Sequence, residues 1–302
     1  MTEKKNNVLI GCLCALGCEN LYGLSYIFTK KATEVSSPFA LLGWRFLIAA
    51  ILMTLCALTG LIRLKLKGKN LKPLLLVAIF SPVIYFIGET IGINNTTASE
   101  SGVFLACIPV ASLVASALIL KKKPARIQVI GVLITLVGVL VTVFAAGASS
   151  SFSASGYAFL LIAVISYALY CVFVEKATDF SGAEVTYVML IAGAIVFVLL
   201  ALAEALCTSD IEALVMLPVK NVDFLMAIMY QGVGCSILAF FLSNVAISKI
   251  GVNRTSSFIG VATVVSIIAG ALMLKESLSI VQVVGAVIII AGVYTANAKS
   301  IS

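Results

Sequence analysis

The chain has 302 residues, of which 62% are apolar and only 11% charged, and its mean hydropathy is +1.17. Water-soluble domains are about half apolar and about a quarter charged. The composition therefore excludes a soluble globular domain, a disordered chain, a collagen and a disulfide scaffold, and indicates an integral membrane protein. The chain has a formal net charge of +7 and contains no histidine. Since it also lacks a C-x-x-C pair, we expect no metal site and no cofactor.

Ten apolar segments separated by polar breaks predict ten transmembrane helices, because about 20 apolar residues are needed to cross a bilayer. They lie at about residues 8–29, 39–62, 73–93, 101–120, 127–146, 157–175, 184–207, 223–248, 255–274 and 279–297. The predicted fold class is an all-α integral membrane protein. Lys4 and Lys5 precede the first segment, as in a secretory signal. The segment lacks a convincing cleavage site made of small residues, so we expect a retained first span and not a removed leader.

The distribution of lysine and arginine predicts the orientation, because these residues are retained on the cytoplasmic side. With the N-terminus inside, fifteen of them face the cytoplasm and four face outwards. The four outer residues are Lys30, Lys31, Lys220 and Lys275. Both termini are then cytoplasmic. Basic residues that flank apolar spans in this way are topology signals, so we expect no nucleic-acid partner.

The two halves of the sequence resemble each other. Shifts of 154 and 145 residues superpose polar and glycine positions that are not expected to match by chance. These matches are Gln128 with Gln282, Gly131 with Gly285, Gly138 with Gly292 and Tyr22 with Tyr167. The Ser-rich linker 149–156 separates the halves, so we predict five-helix repeats at residues 1–148 and 157–302.

A five-helix repeat enters the membrane from the opposite face to its sister, because five is an odd number. Two inverted copies can form two mirror-related openings around one central site, which is the basis of alternating access in many secondary transporters. The alternative is that the duplication supplies only a packing scaffold.

Ionisable groups inside spans cost at least about 2.5 kcal/mol each on insertion scales, so each is a candidate for function. Glu19 lies near the middle of the first helix, with Asn20 beside it, and Tyr22 and Tyr26 follow on the same helical face. We predict that these residues line a substrate cavity and that Glu19 carries a proton. The alternative for Glu19 is a neutral carboxyl group in a static hydrogen bond.

Arg45 and Glu89 lie at similar depths in the second and third helices, about 8 to 9 Å from the outer surface. They are therefore predicted either to form a fixed ion pair or to act as an outer gate or an anchor for an anionic substrate group. Trp44 is a candidate binding platform, with an interface anchor as the alternative.

Polar residues of the second half complete the predicted substrate site. They are Tyr167, Tyr170, Tyr230, Gln231 and Asn244. Gly232 and Gly234 come just after Gln231. Two glycines beside a buried amide predict either close helix packing or a local break in the helix that exposes backbone groups.

Four features in fixed order give the chain a family likeness. They are Tyr22 to Ala32 at the end of the first helix, Pro38 followed seven residues later by Arg45-Phe46, Thr97-Ala98 leading to Ile108-Pro109, and Leu274 to Leu278 followed by Gln282 and Gly285. In these features the sequence resembles the EamA-type members of the drug/metabolite transporter superfamily. The first half departs from the pattern, because Lys122 occupies a position that is usually acidic, whereas the second half keeps Glu276.

The resemblance implies a ten-helix secondary transporter with a central cavity lined by both halves. Family members mostly export amino acids, other metabolites or toxic compounds, although uptake also occurs among them. The sequence contains no Gly-rich phosphate loop, so ATP is not expected as a partner.

We therefore expect a multi-pass inner-membrane transporter that exports a small polar or amphipathic metabolite by alternating access. Its expected partners are the substrate, the bilayer and a coupling proton. The alternatives are an uncoupled facilitator or uptake carrier, an intramembrane lipid-modifying enzyme, and a structural scaffold. We expect no enzyme, because the spans hold no histidine and no obvious pair of nucleophile and base.

Overall fold

The computed structural model describes residues 2–96, 98–145, 153–273, 275 and 279–298, and within these ranges it contains helices and no strand. Among the described residues, ten helices are long and apolar enough to cross a membrane. They are α1 (Asn6–Thr33), α2 (Pro38–Leu58), α3 (Lys72–Asn94), α4 (Glu100–Ile119), α5 (Arg126–Ala145), α6 (Ala154–Lys176), α7 (Gly182–Cys207), α8 (Val222–Ile250), α9 (Val252–Met273) and α10 (Ile280–Asn297). The predicted all-helical fold with ten spans is confirmed, and most helix ends differ from the prediction by three residues or fewer.

Serine side chains fix where several helices begin. Ser37 accepts a hydrogen bond from the backbone N–H of Ala40 at the start of α2. Ser181 and Ser279 form capping boxes with Glu184 and Gln282 at the starts of α7 and α10. These contacts satisfy backbone N–H groups that have no partner within the first turn of a helix.

The helices of one half pack against those of the other in matching pairs. The second helices of the halves, α2 and α7, pack together, and so do the fifth helices, α5 and α10. Helix α1 packs against α8 and α9, and its counterpart α6 packs against α3 and α4. Exchanging the halves therefore reproduces the set of contacts, as expected for a duplicated five-helix unit.

Glycines bring the backbones of α5 and α10 into close contact. A Cβ atom at Gly138 would lie 2.9 Å from the carbonyl oxygen of Gly285, and one at Gly292 would lie 2.7 Å from that of Gly131. Side chains cannot fit at such distances, so these positions require glycine. These four residues are two of the pairs that the internal repeat matched.

The third helix of each half is interrupted near its middle. In α3 the segment Ile79–Ile84 is π-helical and contains Pro82, and Ser81 has extended backbone angles (φ −144°, ψ 122°). In α8 the segment Tyr230–Ala239 is π-helical. Such interruptions free backbone groups from regular helical bonding, and in transporters they mark substrate sites. An added Cβ at Gly232 would lie 3.2 Å from the carbonyl oxygen of Arg45, so this glycine also allows close packing of α8 on α2.

A short helix, Ile211–Lys220, lies between α7 and α8 and was not predicted, since it is too short to span a membrane. It buries no residue, and Ile211, Val215 and Val219 form an exposed apolar stripe along it. The indole N–H of Trp44 donates to the carbonyl of Leu214 at 2.9 Å and so attaches the short helix to α2.

Candidate functional site

A cavity of about 1080 Å³ is lined by residues of both halves. Its deep end is at Glu19 and Tyr167, near the middles of α1 and α6, and it reaches Thr33 and Asn94 at the ends of α1 and α3. The charge distribution predicts that these ends face outwards. The cavity therefore extends from mid-membrane depth towards the face opposite the Lys-rich loops.

Three residues that the sequence predicted for the site line the deep part of this cavity. Glu19 is 5% exposed, and within the described residues its carboxyl group has no hydrogen-bond partner. Tyr22 and Tyr167, which the internal repeat matched, both face the cavity. The ring of Tyr167 packs edge-on against Tyr85, with centroids 5.5 Å apart.

Arg45 lines the cavity from α2, and α8 holds its guanidinium group. Its Nε donates to Ser236 Oγ at 2.7 Å, and its Nη1 donates to Gln231 Oε1 at 3.4 Å. The group lies 4.9 Å from the centre of the Phe86 ring, within the range of a cation–π interaction. Its Nη2 is buried and has no hydrogen-bond partner among the described residues.

Glu89 also lines the cavity, but it does not pair with Arg45. The hydroxyl of Tyr85, one turn earlier on α3, donates to Glu89 Oε1 at 2.7 Å. Arg45 forms no ion pair with any carboxylate in the part of the chain that the structure describes. The ion-pair hypothesis for these two residues is thus wrong for this conformation, because α8 holds Arg45 and Tyr85 holds Glu89.

Two other predicted site residues lie at the edges of the bundle. Asn20 is exposed and donates to the carbonyl of Leu16 on its own helix. Trp44 faces the short helix Ile211–Lys220 and packs against a cluster that includes Leu41 and Phe224, and it is not among the described residues that line the cavity. The side chain of Tyr26, like Glu276, lies outside the described residues.

The remaining predicted tyrosines and the asparagine contact other helices instead of the cavity. The hydroxyl of Tyr170 donates to Asn244 Oδ1 at 2.8 Å, and the amide of Asn244 donates to Thr186 Oγ1 at 3.0 Å. Tyr230 donates to the carbonyl of Leu21 at 3.0 Å. Of the second-half candidates, only Tyr167 and Gln231 are among the described residues that line the cavity. Tyr170, Asn244 and Tyr230 instead join α6, α7 and α8 to their neighbours.

Several cavity residues on α3 are not among those predicted from the sequence. Ser81, Tyr85 and Phe86 all line the cavity, at or just after the interruption of the helix. The signal was available in the sequence, because Pro82 interrupts an apolar run and Tyr85 precedes Glu89 by one helical turn. All eight cysteines are free, and most of them are partly or fully buried. We therefore assign no thiol to the site.

The opposite end of the molecule is closed by charged contacts between the halves. Lys69, before α3, pairs with Glu184 of α7 at 3.1 Å. Lys122, before α5, pairs with Glu175 of α6, which also accepts the backbone N–H of Val252 at 2.6 Å. The departure from the family pattern at Lys122 thus supplies one of these ion pairs. Within the described residues no cluster of His, Cys, Asp and Glu side chains could hold a metal ion.

Comparisons with known proteins agree with this architecture. The model of the EamA-like transporter family matches residues 9–144 and again residues 154–298. The uncharacterized transporter YcxC of Bacillus subtilis (strain 168) is 33% identical over 92% of this chain and 89% of its own length. A WAT1-related protein of Arabidopsis thaliana is 24% identical over 97% of this chain and 85% of its own length.

A solved structure shows the same fold. This crystal structure is of a protein with 17% sequence identity, and it covers 97% of both chains with a TM-score of 0.77. The double family match, the named transporters among the relatives and the ten apolar helices together identify an integral, multi-pass membrane transporter. The chain belongs to the EamA-like transporter family.

Proposed function

We propose that this transporter is a secondary carrier that exports a small polar or amphipathic metabolite, such as an amino acid, by alternating access. One observation carries the proposal. A cavity with a buried guanidinium and a buried carboxyl group reaches one face of the bundle, and ion pairs between the halves close the other face. Its volume of about 1080 Å³ is slightly above the usual range of small-molecule sites, which is about 300 to 1,000 Å³.

The closed side contains polar groups that suit a second opening. Ser112 and Ser116 of α4 are buried, and in the part of the chain that the structure describes their hydroxyl oxygens have no hydrogen-bond partner. Unpartnered buried hydroxyls are costly unless another state provides water or a ligand. The repeat pairs Ser112 with Ser266, which lines the open cavity. These residues support the view that the closed side is the mirror-related half of the translocation path.

Coupling to protons is assigned to Glu19. It is a buried carboxyl group at mid-membrane depth, its side chain borders the cavity, and no group in the described residues holds it. The chain has no histidine, so a carboxyl group is the most suitable proton carrier for this site.

Flux into proteoliposomes tests the coupling. We expect a pH gradient to drive accumulation of substrate, and Glu19→Gln to abolish this accumulation while the purified protein remains folded and still exchanges substrate. Glu212→Gln on the short helix is the matched control, because Glu212 is exposed and outside the cavity. Normal accumulation by the Glu19→Gln variant would remove this residue from the mechanism. Wild-type flux that ignores the gradient would identify an uncoupled facilitator.

A further inference from the structure

We infer that Arg45 is the anchor for a carboxylate group, so that the transported molecule is a monoanionic or zwitterionic carboxylate. This inference rests on the proposed function and specifies its substrate class. It is carried by the unpartnered Nη2 group of a side chain that is only 6% exposed and borders the cavity.

Arg45 forms no ion pair with a carboxylate in the described part of the chain, and Glu89, which is close enough to interact with it electrostatically, is bonded to the hydroxyl of Tyr85. Arginine stays protonated in proteins, and a buried charge without a partner is strongly destabilising. Its two engaged nitrogens bond to a hydroxyl and an amide, which are neutral. The guanidinium therefore has an unmet requirement for an anionic oxygen, and because the Arg45 side chain borders the cavity, a ligand in the cavity lies next to it.

The surrounding residues fix the direction of the free donor. Gln231 donates from Nε2 to Thr29 Oγ1 at 2.9 Å, which turns its carbonyl oxygen towards Arg45. Ser236 accepts from Nε, and the guanidinium carbon lies 4.9 Å from the centre of the Phe86 ring. A guanidinium oriented in this way is a suitable planar partner for a carboxylate.

The charges in the cavity favour a carboxylate over a phosphate. Among the described residues that line the cavity, Arg45 is the only arginine or lysine, while Glu19 and Glu89 are both acidic. A dianionic phosphate in this cavity would contact one positively charged side chain, Arg45, and would lie near two acidic side chains, Glu19 and Glu89. A zwitterion presents its carboxylate to Arg45 and its ammonium group to one of the two acidic side chains, so it complements both signs of charge in the cavity.

Protection of Arg45 from an arginine-specific reagent tests the anchor directly. Purified protein is treated with butane-2,3-dione, and modification of Arg45 is followed by peptide mass spectrometry. The probes are the twenty common amino acids and a series of simple monocarboxylates, each compared with its own amide. We expect at least one acid to slow modification of Arg45 about tenfold or more, and its amide to have no effect. The inference fails if Arg45 never reacts, if no acid protects it, or if amides protect it equally.

Two substitutions separate anchoring from folding. For the protective acid, we expect Arg45→Gln to raise the apparent Kd about tenfold to a hundredfold, the range for one charge-assisted hydrogen bond. Arg45→Lys is expected to recover part of this affinity, and Arg126→Gln, at an exposed arginine of α5, to bind like the wild type. If Arg45→Gln does not fold, the protection experiment on the wild type decides alone. If a substrate without a carboxylate is transported, and Arg45→Gln still transports it, the anchor is overturned but the transport function stands. If no compound is transported at all, the result counts against the proposed function itself.

Discussion

Single glycines determine how closely the two halves approach each other. At Gly292 an added Cβ would lie 2.4 Å from Thr135 Oγ1 and 2.5 Å from the backbone nitrogen of the same residue. Backbone atoms cannot move aside as a flexible side chain can. The contact between α5 and α10 is therefore rigid. It joins the fifth helix of one half to the fifth helix of the other.

We expect Gly292→Ala to lower the free energy of unfolding by about 1 to 3 kcal/mol, the usual cost of overpacking a tight interface. Gly17→Ala is the matched control, because its Cβ would meet only the flexible end of Leu242, at 3.2 Å. Thermal unfolding in detergent measures both variants. Equal unfolding temperatures for the two variants would show that the α5–α10 contact is looser than described.

At the scale of helices, the contacts that close one face differ in strength from those on the surface. Glu184 has a side chain that is 4% exposed, and it accepts from the Lys69 side chain and from the backbone N–H of Lys65 at 2.8 Å. The pair of Lys31 and Asp223 is 44% and 57% exposed. Exposed ion pairs contribute about 0 to 1 kcal/mol, whereas buried hydrogen bonds to a charge contribute more.

Weakening the buried contact should therefore shift the molecule towards opening of the closed face. We expect Glu184→Gln to increase the reactivity of a cysteine placed at Ser112 towards a small thiol reagent by about threefold or more, which corresponds to about 0.7 kcal/mol. The background lacks the native cysteines. Asp223→Asn should leave the reactivity unchanged, and an unchanged reactivity in Glu184→Gln would show that Lys69 and Glu184 do not control this opening.

The same helices show how far the sequence predicts the site. The internal repeat identified Tyr22 and Tyr167 correctly as a related pair, and the apolar segments located all ten spans. Tyr170 and Asn244 have the same polar character, yet they bond to each other and not to the cavity. Sequence gives the depth of a polar residue in a helix, but the face that meets a neighbouring helix depends on tertiary packing and on interruptions such as that at Ser81.

For the whole molecule, the repeat makes a prediction about the membrane. The loop between α2 and α3 and the segment between α7 and α8 occupy equivalent positions in the two halves. Inverted halves place these connections on opposite faces, as the distribution of lysine and arginine also predicts.

Single cysteines at Lys67 and Glu212 test this arrangement, since both positions are exposed. In a background without native cysteines, a membrane-impermeant maleimide should label Lys67→Cys only in inverted vesicles and Glu212→Cys only in right-side-out vesicles. The variant that lacks all native cysteines and carries neither substitution is the control for background labelling. Labelling of both positions from one face would contradict the inverted arrangement.

The short helix Ile211–Lys220 has an exposed apolar stripe and is joined to α2 through the indole of Trp44, the chain neighbour of Arg45. A stripe of this kind partitions among lipid headgroups and acyl chains, where its depth follows the tension and composition of the leaflet. A change in the depth of the short helix would therefore be felt at Trp44, the residue beside the guanidinium. We expect the rate of transport to depend on lipid composition for this reason.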